Sequence, residues 1–175
     1  PLLRRLFTLG FYVSPWQTAR YVENAEIGRF EGEAFDPEAW RPRVPVAALR
    51  HARPDDTLWA ALRVMAFTRE QIRAAVKTGG YTDPAAETLL EDVLVKRQDR
   101  IGRVYLSRIN PLTRFALSDA GSLTFENPAV RAGYAGDPKG GYEAAWAAFD
   151  NGTGESRSLG PAVHAQEARL QAPPA

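Results

Sequence analysis

Arg97 is the residue whose type and position could do chemistry most directly. On a helix starting at Pro84 it falls in the centre of an apolar stripe, between Val93, Leu94, Ile101 and Val104. Arg108 recurs on the same face. A guanidinium on a buried face must be paired or must carry its head to water, because burying the charge alone is costly. Two readings follow. In the structural one, which weighs more, Arg97 pairs with a core carboxylate and locks the helix to its scaffold. In the functional one it reaches an anionic group or a catalytic loop supplied by another part of the protein. The second candidate is the aromatic start of the chain, where Tyr12, Trp16 and Arg20 stand beside Phe11 and Tyr21. Sugars and bases stack on such surfaces, although dense aromatics without a period more often pack beneath loops.

The remaining reactive types are sparse. Glu31, Glu33, Asp36 and Glu38 form the densest carboxylate cluster, and Glu31 and Glu33 would point the same way from a strand around Ile27 to Glu33. General acid–base work or a hard cation would use such a pair, but a solvated edge with Asp36-Pro37 opening a turn accounts for it more simply. The two histidines, His51 and His164, are far apart in the chain and belong to no recognisable triad or zinc spacing. Zero cysteines exclude disulfides, thiolate metal sites and a cysteine nucleophile. Gly79-Gly80 and Gly140-Gly141 are lone pairs rather than phosphate loops, and Asn151-Gly152-Thr153 reads as turn chemistry.

Composition sets the frame. The 175 residues are 45% hydrophobic and 25% charged, the balance of an ordinary globular chain. With 22 basic and 21 acidic residues the net charge is +1, which gives no electrostatic case for nucleic acid or an anionic membrane. No apolar run reaches the roughly 18 residues a spanning helix needs, so the piece reads as soluble, without a transmembrane segment or signal peptide. Its single methionine is Met65. The opening Pro1-Leu2-Leu3-Arg4-Arg5 and the closing Gln171-Ala172-Pro173-Pro174-Ala175 both read as cuts in a longer protein.

The elements that must position these side chains fall into three stretches. Residues 1–54 form an irregular aromatic- and proline-rich segment, broken by Gly10, Pro15 and Gly28 and extended through Pro37, Pro42, Pro45 and Pro54. Residues 55–111 form a helical subdomain. Asp55 or Asp56 caps a first helix with a stripe of Leu58, Trp59, Leu62, Met65 and Ala66. Thr68 and Gln71 fit a capping box for a second helix, which stops at Gly79-Gly80. Asp83-Pro84 opens a third helix of roughly seven turns, ended by Asn110-Pro111 and carrying Asp92/Lys96 and Asp99/Arg103 pairs. Residues 112–175 form a partial β module. A hairpin joins 115–118 to 123–126, Asn127-Pro128 starts a turn of helix, and Tyr142 to Phe149 reads as a strand closed by Asp150-Asn151-Gly152. The fold class is α+β, mainly α, with a three-helix subdomain between the irregular N-terminal segment and the β module.

Several segments carry a resemblance: Trp40-Arg41-Pro42-Arg43-Val44-Pro45, Leu58-Trp59-Ala60-Ala61, Thr78 to Ala86, Lys96 to Gly102, and Phe149-Asp150-Asn151 with Thr153-Gly154. They resemble a family of large uncharacterised bacterial proteins whose upstream half is kinase-like, of the HipA or spore-coat CotH type. The resemblance implies that this chain is the C-terminal part of such a protein, ending a kinase-like domain and starting a β-sandwich. It also implies that the upstream part of the same protein is the partner, and that ATP and Mg would be held there. No catalytic, cofactor-binding or metal residue carries over onto a position of this sequence. The rival reading is a structural or binding module of an envelope or secreted protein without enzymatic activity. The residues name no substrate and no oligomeric state.

Overall fold

A computed structural model describes residues 6–8, 11–13, 15–18, 20–42, 44 and 46–173, without the side chains of Pro15 and Trp16. The breaks expected at Gly10 and Pro45, and the outermost residues of both ends, lie outside that description. Helices and small antiparallel sheets are mixed along the chain, which divides into two compact units, Pro1–Tyr105 and Leu106–Ala175.

In the first unit, α1 (Pro15–Thr18) and α2 (Ala47–Arg50) are single turns in otherwise irregular chain. Three longer helices follow: α3 (Pro54–Met65), α4 (Arg69–Lys77) and α5 (Pro84–Tyr105). The cap of α3 is Arg53, not an aspartate, because Pro54 fits the first helical position and needs no donor there. Asp56 instead accepts from the Arg53 amide at 2.9 Å, three residues into the helix. On α3 Leu58 and Ala61 are buried and Leu62 and Met65 half-buried, while Trp59, 64% exposed, and Ala66 fall outside the stripe their spacing suggests. At α4 the capping box is present in both directions: the Gln71 amide donates to the Thr68 hydroxyl at 3.2 Å, and the Thr68 amide to the Gln71 side chain at 2.9 Å. The helix closes at Gly80, whose φ of 65° is the left-handed turn that glycine adopts without penalty.

Helix α5 is the axis of this unit, packing on both α3 and α4. Asp83 accepts from the Ala85 amide at 2.8 Å and opens it. It spans 22 residues and ends at Tyr105, earlier than its apolar pattern suggests. Pro111 has no N–H to offer the Ser107 carbonyl, and Asn110 before it is steered out of the α region. Residues 106–109 therefore bend, and Arg108 is exposed beyond the helix, in the second unit. The Asp99–Arg103 pair forms at 2.8 Å, but Asp92 bonds Arg69 and Lys96 bonds Glu33.

Residues 24–37 run as a strap along α5 from its N-terminus to its last turn. No strand forms around 27–33, because Asn24 accepts from the Glu26 and Ile27 amides and bends the chain, with Gly28 at φ 66° completing the turn. The Glu26 carboxylate then accepts from the Thr82 amide at 3.1 Å and from the Thr82 hydroxyl, at the positive end of α5. Asn24 donates to Asp83 at 3.0 Å. Further along, Lys96 bonds Glu33, and Arg100 lies 3.5 Å from the Phe35 carbonyl. At the far end the Tyr105 hydroxyl donates to the Pro37 carbonyl at 3.0 Å. The strap comes so close at Gly32 that an added Cβ would lie 2.9 Å from the Lys96 Cβ.

The second unit holds β1 (Thr113–Leu117), β2 (Ser122–Glu126), α6 (Pro128–Arg131), β3 (Tyr142–Ala144), β4 (Ala147–Phe149), β5 (Ser156–Ser158), β6 (Val163–Ala165) and β7 (Arg169–Gln171). The expected hairpin forms, with Leu117 opposite Leu123, and β7 adds to its other side. Asn127 caps α6 through the Ala129 and Val130 amides. The strand expected from Tyr142 to Phe149 is two strands: β3 pairs with β6 and β4 with β5. Gly160-Pro161 sits between β5 and β6, and a proline without an N–H cannot continue one ladder through that point. Phe125 and Leu170 are buried, and Phe125 meets Tyr142 edge-on at 4.9 Å. No helix among the described residues is long and apolar enough to cross a membrane.

Candidate functional site

The strap, α3, α4 and α5 enclose an open cavity of about 820 Å³ in the first unit. Phe30, Phe35, Pro37 and Trp40 line it from the strap side, Ala61, Val64 and Phe67 from α3 and its end, Ile72 and Val76 from α4, and Leu90, Leu94 and Ile101 from α5. Arg97 is the one charged residue on its described wall. Trp40 and Phe67 remain 53% and 58% exposed, so the apolar lining continues outward to solvent.

Arg97 is half-buried and is held by the strap. Its Nε donates to the Glu31 carbonyl at 2.8 Å, and its guanidinium carbon lies 3.9 Å from the centre of the Phe30 ring and 4.7 Å from that of Phe35. Burial lowers its pKa from the ordinary value, partly opposed by the negative charge of Glu31. Among the described residues no carboxylate forms an ion pair with it, and its two Nη groups have no hydrogen-bond partner. The carboxylate partner anticipated for this position is replaced by a backbone carbonyl and two aromatic rings. Cation–π contact occupies the faces of a guanidinium and leaves its N–H edge available.

Beside Arg97, Gln98 donates to both the Val64 and Phe67 carbonyls at 2.8 Å, closing the C-terminal end of α3 against α5. The only sign of this role in the sequence is a polar residue directly beside Arg97. The other feature that sequence reasoning missed is Glu91, a carboxylate on α5 that is only 4% exposed. Arg73 donates to it at 2.7 and 3.1 Å and Arg69 at 2.5 Å, both from α4. The Arg73 hydrogen bond leads in holding its pKa down at about 2, against a desolvation that pushes the other way. Arg69 and Arg73 lie one turn apart on α4, which is the signal that could have called for an acid opposite.

The other expected groupings disperse. Arg108 shares neither helix nor unit with Arg97. Tyr12 is half-buried and Arg20 exposed, neither lines the cavity, and the Trp16 side chain lies outside the described residues. The Glu31 carboxylate accepts from the Ala34 amide at 2.6 Å, and Asp36 accepts from the Glu38 amide at 2.9 Å. Lys96 draws the Glu33 carboxyl below its usual range. These acids are taken up in turns and the strap, and among the described residues no group of acids and histidines could hold a metal ion. His51 and His164 are exposed. Comparison with known proteins finds no matching family model, no matching curated protein and no matching solved structure.

Proposed function

We propose that this chain is a binding module whose first unit takes an apolar small molecule in the cavity between the strap and α3–α5. The cavity carries this reading: its roughly 820 Å³ falls inside the range of about 300–1,000 Å³ typical of small-molecule sites. Its walls are apolar side chains with a few polar groups, the usual composition of such a site. Apolar surface left facing water is unfavourable, and covering it returns about 25 cal/mol per Å². The test uses N-phenyl-1-naphthylamine, a neutral apolar dye whose fluorescence rises on leaving water. Saturable enhancement is expected with the intact chain, and its loss in Ala75→Trp, which fills the cavity from α4. A folded chain that gives no saturable enhancement overturns the reading.

A second reading follows the resemblance to kinase-like bacterial proteins. In it, residues 55–111 serve as a three-helix subdomain at the end of a phosphotransferase, and ATP and Mg belong to the upstream part. It rests on the resemblance, whose segments Thr78 to Ala86 and Lys96 to Gly102 lie where the strap is fastened to α5. The coding sequence ahead of Pro1 then carries an Asp-Phe-Gly-like segment with a lysine before it. Its absence there removes this reading and leaves the first untouched.

A further inference from the structure

We infer that the ligand of this cavity is an amphipathic carboxylate, its tail among the apolar side chains and its head on the Nη edge of Arg97 that the described residues leave unused. The inference rests on the binding-module reading above and specifies its ligand.

Three observations carry it. The described wall of the cavity bears a single formal charge, and that charge is positive. Arg97 is fixed before any ligand arrives, by its Nε on the Glu31 carbonyl and by the rings of Phe30 and Phe35, so little side-chain entropy remains to be lost on binding. Its two Nη groups, unused by the described residues, form the planar fork that a carboxylate meets with two parallel hydrogen bonds. The neighbouring acid does not fill that place, because the Glu31 carboxylate is turned to the Ala34 amide at 2.6 Å. A wholly apolar ligand would take more water from this cation and leave its Nη edge unbonded. A soluble anion without a tail would leave the apolar walls in water. One molecule with both parts answers both.

The experiment is displacement of N-phenyl-1-naphthylamine from the intact chain by dodecanoate and by dodecanol, which differ only at the head. Dodecanoate should displace the dye at concentrations lower by about tenfold to a hundredfold, the range of one charge-assisted hydrogen-bonding group. Arg97→Met should bring the two curves together, and Arg97→Lys should keep only part of the difference. Equal displacement by acid and alcohol in the unaltered chain overturns this inference while the binding module stands. So does a preference that survives Arg97→Met. Failure of the dye itself to bind takes down the module reading instead. The comparison of the two ligands needs no variant, so it holds even if Arg97→Met folds poorly.

Discussion

Glu91 and Arg97 lie less than two turns apart on α5 and face opposite fates. On the α4 side, Glu91 is taken out of water and met by two arginines that remain half exposed, so the pair is closed within the unit. On the strap side, Arg97 is met by a carbonyl and two rings, and no described carboxylate forms an ion pair with it at the edge of an apolar cavity. The first arrangement uses charge to join two helices. The second uses weak contacts to aim a charge.

If the Glu91 site is the closed one, breaking it should do the greatest harm to folding. Glu91→Ala removes the acceptor of three hydrogen bonds at the α4–α5 contact, and thermal unfolding should show the largest fall in Tm among the changes considered. The pH dependence gives the sign. The folded carboxyl titrates at about 2, against about 4.3 for an unfolded glutamate. Its contribution is therefore fully present above the unfolded value and fades as pH falls from about 4.3 to about 2. The Tm gap between the unaltered chain and Glu91→Gln should be widest near neutrality and shrink across that window. A gap constant from pH 6 to pH 2 would contradict the assignment.

The strap side should respond to sterics rather than charge. Gly32→Ala places a Cβ 2.9 Å from the Lys96 Cβ and 3.4 Å from the Val93 carbonyl, neither of which is the loose end of a side chain. The strap must lift, costing about 1–3 kcal/mol as overpacking does. Because the Glu31 carbonyl and Phe30 travel with the strap, the same change should also weaken the preference for dodecanoate over dodecanol. Unaltered preference would separate the strap from the aiming of Arg97.

Between those two sides, α4 depends on its start. Thr68→Ala removes half of the capping box, with an expected loss of about 1 kcal/mol in denaturant unfolding. This box, the Asp83-Pro84 start, the Gly79-Gly80 stop, the Asn127 start of α6 and the hairpin around residues 119–122 were all legible, because each is set by residues a few positions apart. The strap was not: its contacts with α5 join positions some 60 apart, and its residues follow neither a helical nor a strand period. Glu91 was hidden for the same reason, since its partners lie 18 and 22 positions away on another helix. Helix α5 was overextended because apolar spacing outlasted the backbone pairing that Pro111 curtails. Of the candidate residues, Arg97 stood out as a charge on an apolar stripe, but whether it would meet an acid or a carbonyl depended on the fold of a segment without pattern.

The change at Arg97 bears most directly on the contrast between the two sides of α5. Arg97→Met keeps the length and apolar contacts of the stem, and removes a cation that is attached by one hydrogen bond and two ring contacts. Cation–π contacts of this kind are worth about 0.5–1 kcal/mol, and methionine against the same rings recovers part of that. With the hydrogen bond to the Glu31 carbonyl also lost, thermal unfolding should register a loss of about 1–2 kcal/mol. Had the residue been a fastener to a buried carboxylate, stranding that acid would cost about 3–5 kcal/mol. A loss of the larger size would erase the contrast between the two sides of α5 and return Arg97 to the structural role. A small loss, together with the loss of carboxylate preference, would mean that this charge is held in place for a ligand.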